Sequence, residues 1–356
     1  MERNTHTIAP RLIAIDMDGT LLGDTGQVSP RNLAALRAAQ SAGVEVVVAT
    51  GRRHSFAMRV LRPLALHHAS ALVSSNGTVT RTLGHADPAA GIASELIARN
   101  HLPAATARWL CSHLGEYRNA LVLTFDRVGP DGDDTRGALV VEHLDQLTAS
   151  ISRWMEVNSP YIARVVPIEL ALESAPDDAS SSQSNAPIQA MLCGTIERMR
   201  AAEARLLEHP GVIASGHPSG RSGNSPAPQN PGAPFMTASS SWVGENEAEP
   251  ILALHRTDYP ARDLSILDIL PAGCSKGAAI LSLAASRGIQ ANEILAIGDN
   301  WNDVSMLDAA GSAVLMDNAP DDLKELAHER GWRIGPSNLD DGVAAAIESA
   351  LGVSVA

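Results

Sequence analysis

Residues 11–20 read Arg-Leu-Ile-Ala-Ile-Asp-Met-Asp-Gly-Thr, an apolar run that stops at two carboxylates and a glycine. A short run such as Arg11 to Ile15, leading into a Gly-containing loop, predicts a buried strand. Ser29-Pro30 then supplies an N-cap and a proline suited to a first helical turn. Leu33, Leu36 and Ala39 recur at helical spacing, and Gly43 closes the helix. Val44 to Ala49, with three consecutive valines, predicts the next strand. Strand, helix and strand within residues 11–49 form a βαβ unit, which implies a parallel, doubly wound sheet. Ala71 to Ser74 predicts a third strand.

The C-terminal part repeats this grammar. Helices are predicted over Ser275–Arg287 and Asn302–Ala310, and strands over Glu293–Ile297 and Ala313–Met316. Between the two α/β stretches the chain changes character. Longer helical patterns such as Ala104–Leu114 mix there with isolated strands such as Ala120–Phe125. The expected organisation is a discontinuous Rossmann-like α/β core, residues 1–85 and 272–356, with an α+β domain inserted over 86–271. Two low-complexity loops are expected in the insert, at 175–187 and at 215–234. In the second, Ser, Pro and Gly fill 13 of 20 positions, too little apolar surface to offset chain entropy.

Of the 356 residues, 45% are hydrophobic and only 3% aromatic, so the cores must rest on aliphatic side chains. A net charge of −13 argues against a nucleic-acid partner, because phosphate backbones need a positive footprint. Three widely spaced cysteines make neither a disulfide framework nor a zinc cluster, and they fit a reducing compartment. No apolar run approaches the ~18 residues of a membrane span, and MERNTHTIAP has no signal-peptide h-region, so a cytoplasmic location and no membrane partner are expected. None of this sets an oligomeric state.

The chemistry-bearing residues gather at predicted strand ends. Asp16 and Asp18 follow the first strand, Thr50-Gly51-Arg52 the second, and Asp299, Asn302 and Asp303 the strand Glu293–Ile297. Lys276 opens a helix just after the insert. Each has an ordinary reading as a turn residue, a helix cap or a solvated lysine. Those readings do not explain convergence on one edge of one sheet, where doubly wound folds bind ligands.

The sequence resembles the haloacid dehalogenase superfamily of phosphohydrolases, in particular its Cof-type branch. The resemblance rests on IDMDGTLL, VVVATGR, SSNGT, ILPAGCSKGAAI, LAIGDNWNDVSMLDAAG and SNLDDGVAAAI. It covers the core and is loose across the insert, which corresponds in position to the family's large cap. It implies a Mg²⁺-dependent hydrolase of phosphoric monoesters, acting on a small phosphorylated metabolite. Sugar phosphates come first on that analogy, with nucleotide or flavin phosphates behind. Asp16 would be the nucleophile, forming an aspartyl-phosphate that water hydrolyses, and Asp18 would protonate the leaving alcohol and later activate the water. Asp16, the Asp18 carbonyl and Asp299 would hold the metal, while Asp303 would orient the metal site or Lys276. Thr50, Gly51, Lys276 and Asn302 would contact phosphate, with Arg52, Asn76 and Gly77 as weaker candidates.

Charge explains why cations are needed. A carboxylate ~3.5 Å from a phosphate dianion meets roughly 9 kcal/mol of repulsion at an effective dielectric of ~20. The Asp and Asn groups offer only oxygen ligands, which suit a hard cation and not zinc. A phosphomutase on the same core, or a non-catalytic binding module derived from a phosphatase, remain the alternatives. Arg53 and His54 are expected at the surface, with contact to substrate as the alternative, and Trp301 is a candidate for narrowing the site. Asp131 to Asp134 with Glu142 carries calcium-loop ligand spacing but has Arg136 where the sharp turn demands glycine, so calcium is not expected.

Overall fold

The computed structural model describes residues 9–84, 94–129, 131–143, 151–172, 185–214 and 250–353. The 215–234 loop and residues 175–184 of the other expected loop lie outside these.

Two sheets organise the chain. The parallel part of the first is β1 (Leu12–Asp16), β2 (Glu45–Ala49), β3 (Ala71–Ser74), β13 (Ile294–Gly298), β14 (Ser312–Met316) and β15 (Arg333–Gly335). Strands β4 (Val79–Thr82) and β5 (Leu96–Arg99) extend it antiparallel. Together these eight strands run in the order β15-β14-β13-β1-β2-β3-β4-β5. The inserted segment read from residue 86 therefore lends its first strand, β5, to the core sheet, and the chain leaves that sheet only after Arg99.

Alternation along β1 shows why this sheet is buried on both faces. Ile13 and Ile15 join one apolar cluster, while Leu12 and Ala14 join the other. Helices α1 (Pro30–Ser41), α2 (His54–Leu61) and α9 (Gly342–Leu351) cover the first face. On the second lie α6 (Lys276–Ser286), α7 (Val304–Ala309) and α8 (Asp321–Arg330). Helix α1 begins as its sequence dictates: Ser29 accepts from the Asn32 N–H at 3.0 Å and Pro30 fills the first turn. The region expected as one helix over Asn302–Ala310 is instead a 3₁₀ turn, Trp301–Asp303, followed by α7, because the Asp303 side chain caps that turn.

The second sheet is built from β6 (Leu121–Thr124), β7 (Leu139–Val141), β8 (Ile162–Arg164), β9 (Gln189–Gly194), β10 (Val212–Ala214), β11 (Leu252–Tyr259) and β12 (Leu264–Pro271). These seven strands run in the order β10-β11-β12-β9-β6-β7-β8. Helices α3 (Ala104–His113) and α5 (Ile196–Leu207) pack on one face through Leu110, Met199 and Leu206. The other face carries a smaller cluster beside α4 (Ser152–Asn158), including Leu139, Met191 and Leu264 with Trp154 against them. No helix among the described residues is long and apolar enough to cross a membrane.

Candidate active site

Strand β1 lies between β2 and β13. From β1 the chain winds outward through β2 and β3 in one direction, and β13, β14 and β15 continue the sheet in the other. The carboxyl ends of β1 and β13 thus form the topological switch point, where open α/β sheets bind ligands. Asp16 ends β1 and Asp299 follows β13. Gly19, at φ +83°, turns the chain between them; a Cβ there would sit 2.3 Å from Asp299 Oδ2, so only glycine fits. Lys276 opens α6, whose N-cap Ser275 accepts from the Ala278 N–H at 3.1 Å.

These elements deliver one ammonium among three carboxylates. Lys276 Nζ donates to Asp16 Oδ1 at 2.5 Å and to Asp303 Oδ1 at 2.7 Å. Carboxylate oxygens of Asp16, Asp299 and Asp303 all lie within 4.8 Å of one another, and all three residues are buried. Asp303 is fully engaged: its second oxygen accepts the Asp299 and Asn300 N–H groups, both at 3.0 Å. Asp299 accepts the Thr20 hydroxyl at 2.7 Å and the Asn318 amide at 3.4 Å.

The electrostatics follow from burial. Desolvation, then Asp303, pushes the Asp16 carboxyl well above its usual range against the pull of Lys276. Desolvation and Asp303 likewise lift Asp299 to about 7. Burial opposes the Lys276 charge, but Asp16 and Asp303 overcome it and hold the ammonium charged, above its ordinary value. One cation among three anions leaves negative charge unmatched. The donor set is hard oxygen throughout, which fits a small divalent ion such as Mg²⁺.

Around this centre the structure gathers most of the residues expected from sequence. Asp18 lies nearer solvent, paired through both carboxylate oxygens with the Arg52 guanidinium, Nε to Oδ2 at 2.8 Å. Thr50 is buried, and its hydroxyl accepts the Arg52 N–H at 3.1 Å. Gly51 fits against Asn76, whose Oδ1 would lie 3.1 Å from a Cβ. Asn302 reaches the same Asn76 oxygen at 3.5 Å. Gly77 serves the backbone, since a Cβ there would sit 2.2 Å from the Ser275 carbonyl; its absence lets the loop after β3 touch the start of α6.

Some expectations need correction. Arg53 and His54 are not surface residues. Arg53 ion-pairs with Asp134 and donates to Asn158 Oδ1 at 2.6 Å, both beyond β6, and His54 is buried. Trp301 packs into the core beneath β13 and does not border the cavity. The acidic run read against a calcium loop is explained by arginines, Asp134 on Arg53 and Asp133 on Arg59.

A cavity of about 700 Å³ opens over the centre, between the two sheets. Asp16, Asp18, Thr50, Gly51, Asn302 and Asp299 line its floor; Thr124, Trp154, Gln189, Met191, Tyr259 and Asp268 are among its walls. Sequence reasoning missed the wall residues, and also Thr20 and Asn318, which fix Asp299. Thr20 stands inside the motif, and Asn318 follows β14 at the same sheet edge, so both carried a positional signal.

An open α/β sheet with a buried acid–lysine centre at its switch point, roofed by a second sheet, defines a hydrolase of the phosphoryl-transfer kind. The family model for haloacid dehalogenase-like hydrolases matches residues 13–125 and 255–347, and the chain belongs to that family, in its Cof-type phosphatase branch. It is 25% identical over 356 residues to 5-amino-6-(5-phospho-D-ribitylamino)uracil phosphatase YwtE of Bacillus subtilis, covering 96% of this chain and 98% of that protein. It is 26% identical to pyridoxal phosphate phosphatase YbhA of Escherichia coli, covering 89% and 92%. A solved haloacid dehalogenase-like hydrolase from B. subtilis superposes with a TM-score of 0.63 at 23% identity, covering 95% of this chain and 99% of that one. The protein is a phosphatase acting on a small phosphorylated metabolite.

Proposed function

We propose that the reaction runs through an aspartyl-phosphate on Asp16 and depends on Mg²⁺. The observation that carries this reading is the Lys276 ammonium held between Asp16 and Asp303, with Asp299 in the same oxygen cluster at the cavity floor. Asp16 and Asp299, with the Asp18 carbonyl, would hold the ion, since Asp303 is already spent on Lys276 and two backbone N–H groups. When bound, Mg²⁺ supplies the positive charge that offsets repulsion between the carboxylate and the phosphate dianion.

Asp16 attacks phosphorus, the ester P–O bond breaks, and Asp18 gives a proton to the departing alkoxide. Asp18 then takes a proton from the water that hydrolyses the acyl phosphate, so it ends as it began. Lys276 orients Asp16 and favours its ionised form against burial, while Thr50, the Gly51 N–H and Asn302 contact phosphoryl oxygens. The second sheet, from about residue 100 to 271, acts as the cap that excludes water. The cytoplasm is the compartment that fits three free, buried thiols.

The test is hydrolysis of p-nitrophenyl phosphate. Wild type turns it over with Mg²⁺, and chelation abolishes turnover. Asp16→Asn lowers kcat at least about 10³-fold. Equal rates in wild type and Asp16→Asn would overturn the mechanism.

A further inference from the structure

The cavity wall opposite Asp16 is apolar where a sugar phosphate would need hydrogen-bonding groups. Leu139 of β7, Met191 of β9, Leu264 and Ile266 of β12, and Trp154 of α4 all line it, and all belong to the one cluster on that face of the second sheet. This cluster is a sheet face left open over a catalytic floor. Aromatic side chains are scarce in the chain, 5 Trp, 3 Tyr and 3 Phe, yet Trp154, Tyr259 and Phe56 all border this one cavity.

The nearby polar groups are partly spoken for. Asn158 is held by Arg53 and by the Trp154 carbonyl, and Asp268 accepts from Asn76 at 2.9 Å. A hexose pressed against this surface would bury hydroxyls without partners, at a cost that burial of a flat ring does not incur. At one end the wall turns polar. Gln189 of β9 and Thr124 of β6 are register partners, and both line the cavity. Gln189 is 3% exposed, and its Oε1 has no hydrogen-bond partner among the described residues. A buried acceptor without a donor points to a group that arrives with the ligand.

We infer that the substrate is a phosphate ester whose alcohol carries a flat heteroaromatic ring, held against Trp154, Met191 and Ile266 and offering an N–H or O–H to Gln189. This rests on the phosphatase reading above and narrows the sugar-phosphate expectation drawn from sequence. Trp154 and Gln189 are then specificity-determining residues contributed by the second sheet.

Three esters of primary alcohols test it with intrinsic reactivity roughly matched: pyridoxal 5′-phosphate, benzyl phosphate and glucose 6-phosphate. With Mg²⁺, kcat/KM for either ring ester exceeds that for glucose 6-phosphate at least about 10-fold. Trp154→Ala reduces that preference about 10-fold, because ring stacking is lost. Gln189→Leu lowers pyridoxal 5′-phosphate against benzyl phosphate by about 5-fold or more, because only the former brings a donor. A wild type that prefers glucose 6-phosphate, or variants that slow all three esters equally, overturns the substrate class while leaving the phosphatase reading intact. Failure to release phosphate from any of the three, and from p-nitrophenyl phosphate, sinks both.

Discussion

Replacing Lys276 by Met keeps the apolar stem and removes the one ammonium that balances Asp16, Asp299 and Asp303. Its contacts, at 2.5 and 2.7 Å, each correspond to about 6 kcal/mol of attraction at an effective dielectric of ~20. Most of that is offset by stripping water from a fully buried ammonium. Removing one partner of a buried pair costs about 3–5 kcal/mol, since the other partner keeps an uncompensated charge. At about 2–4 °C per kcal/mol for a protein of this size, the metal-free variant melts about 10 °C below wild type at pH 8.

The pH dependence has a defined sign. Asp299 is raised from 3.8 to about 7, so its contribution is fully present below pH ~4 and lost as the pH rises through about 7. Asp16 is raised in the same direction. Protonating these carboxyls near pH 5 neutralises the repulsion that Lys276 relieves, so the deficit of Lys276→Met shrinks there. Mg²⁺ restores part of the loss at pH 8, by about 2.7 kcal/mol at a hundredfold excess over its Kd. Thermal melts of both proteins at pH 5 and 8, in chelator and in Mg²⁺, measure all of this. A shift under about 2 °C at pH 8 in chelator, or a larger deficit at pH 5 than at pH 8, would refute the charge argument.

Two further outcomes follow from single positions. Gly19→Ala drives a Cβ to within 2.3 Å of Asp299 Oδ2 at φ +83°; we expect a loss of about 1–3 kcal/mol and weaker Mg²⁺ binding, read by calorimetric titration, and unchanged affinity would contradict the assigned role of Asp299. Asp268→Asn removes a carboxyl that burial lifts to about 7 while keeping an acceptor for Asn76. Because stability from the wild-type group is lost progressively between pH ~4 and about 7, the gain of the variant over wild type is larger at pH 8 than at pH 5 by about 1–3 kcal/mol, by urea titration. A gain at pH 5 alone would reverse the sign.

The core strands were legible because a parallel sheet covered on both faces must be written in continuous apolar runs, as Leu12–Ile15 and Val46–Ala49 are. The catalytic floor was legible for the complementary reason: Asp16, Thr50 and Asp299 interrupt such runs at the same end. Strand β4 and the edge strand β5 lacked that signal, since Thr80, Arg81, Thr82 and Arg99 give them mixed polarity. The cavity wall was hidden differently. Met191 and Ile266 sit in strands where an apolar residue signals only a core, and nothing local says that this face is left open. Arg53 resembled a surface arginine because its partner, Asp134, comes from the connection between β6 and β7, far along the chain.

A net charge of −13 does not govern how an anion enters this cavity. At physiological ionic strength charges more than about 8 Å apart are largely screened, so the ligand responds to the groups that surround it. Arg52 and Arg53 border the cavity but are paired with Asp18 and Asp134, and Arg262 stands at its exposed rim. Beneath them, three carboxylates face one ammonium. Without a further cation, that floor repels a phosphate dianion. The repulsion that weakens phosphate binding is the attraction that binds a divalent ion, so each ligand must raise the affinity of the other by the same factor. The acidity of the site is thus what couples substrate to metal, and a less acidic floor would bind phosphate alone more readily while losing that coupling.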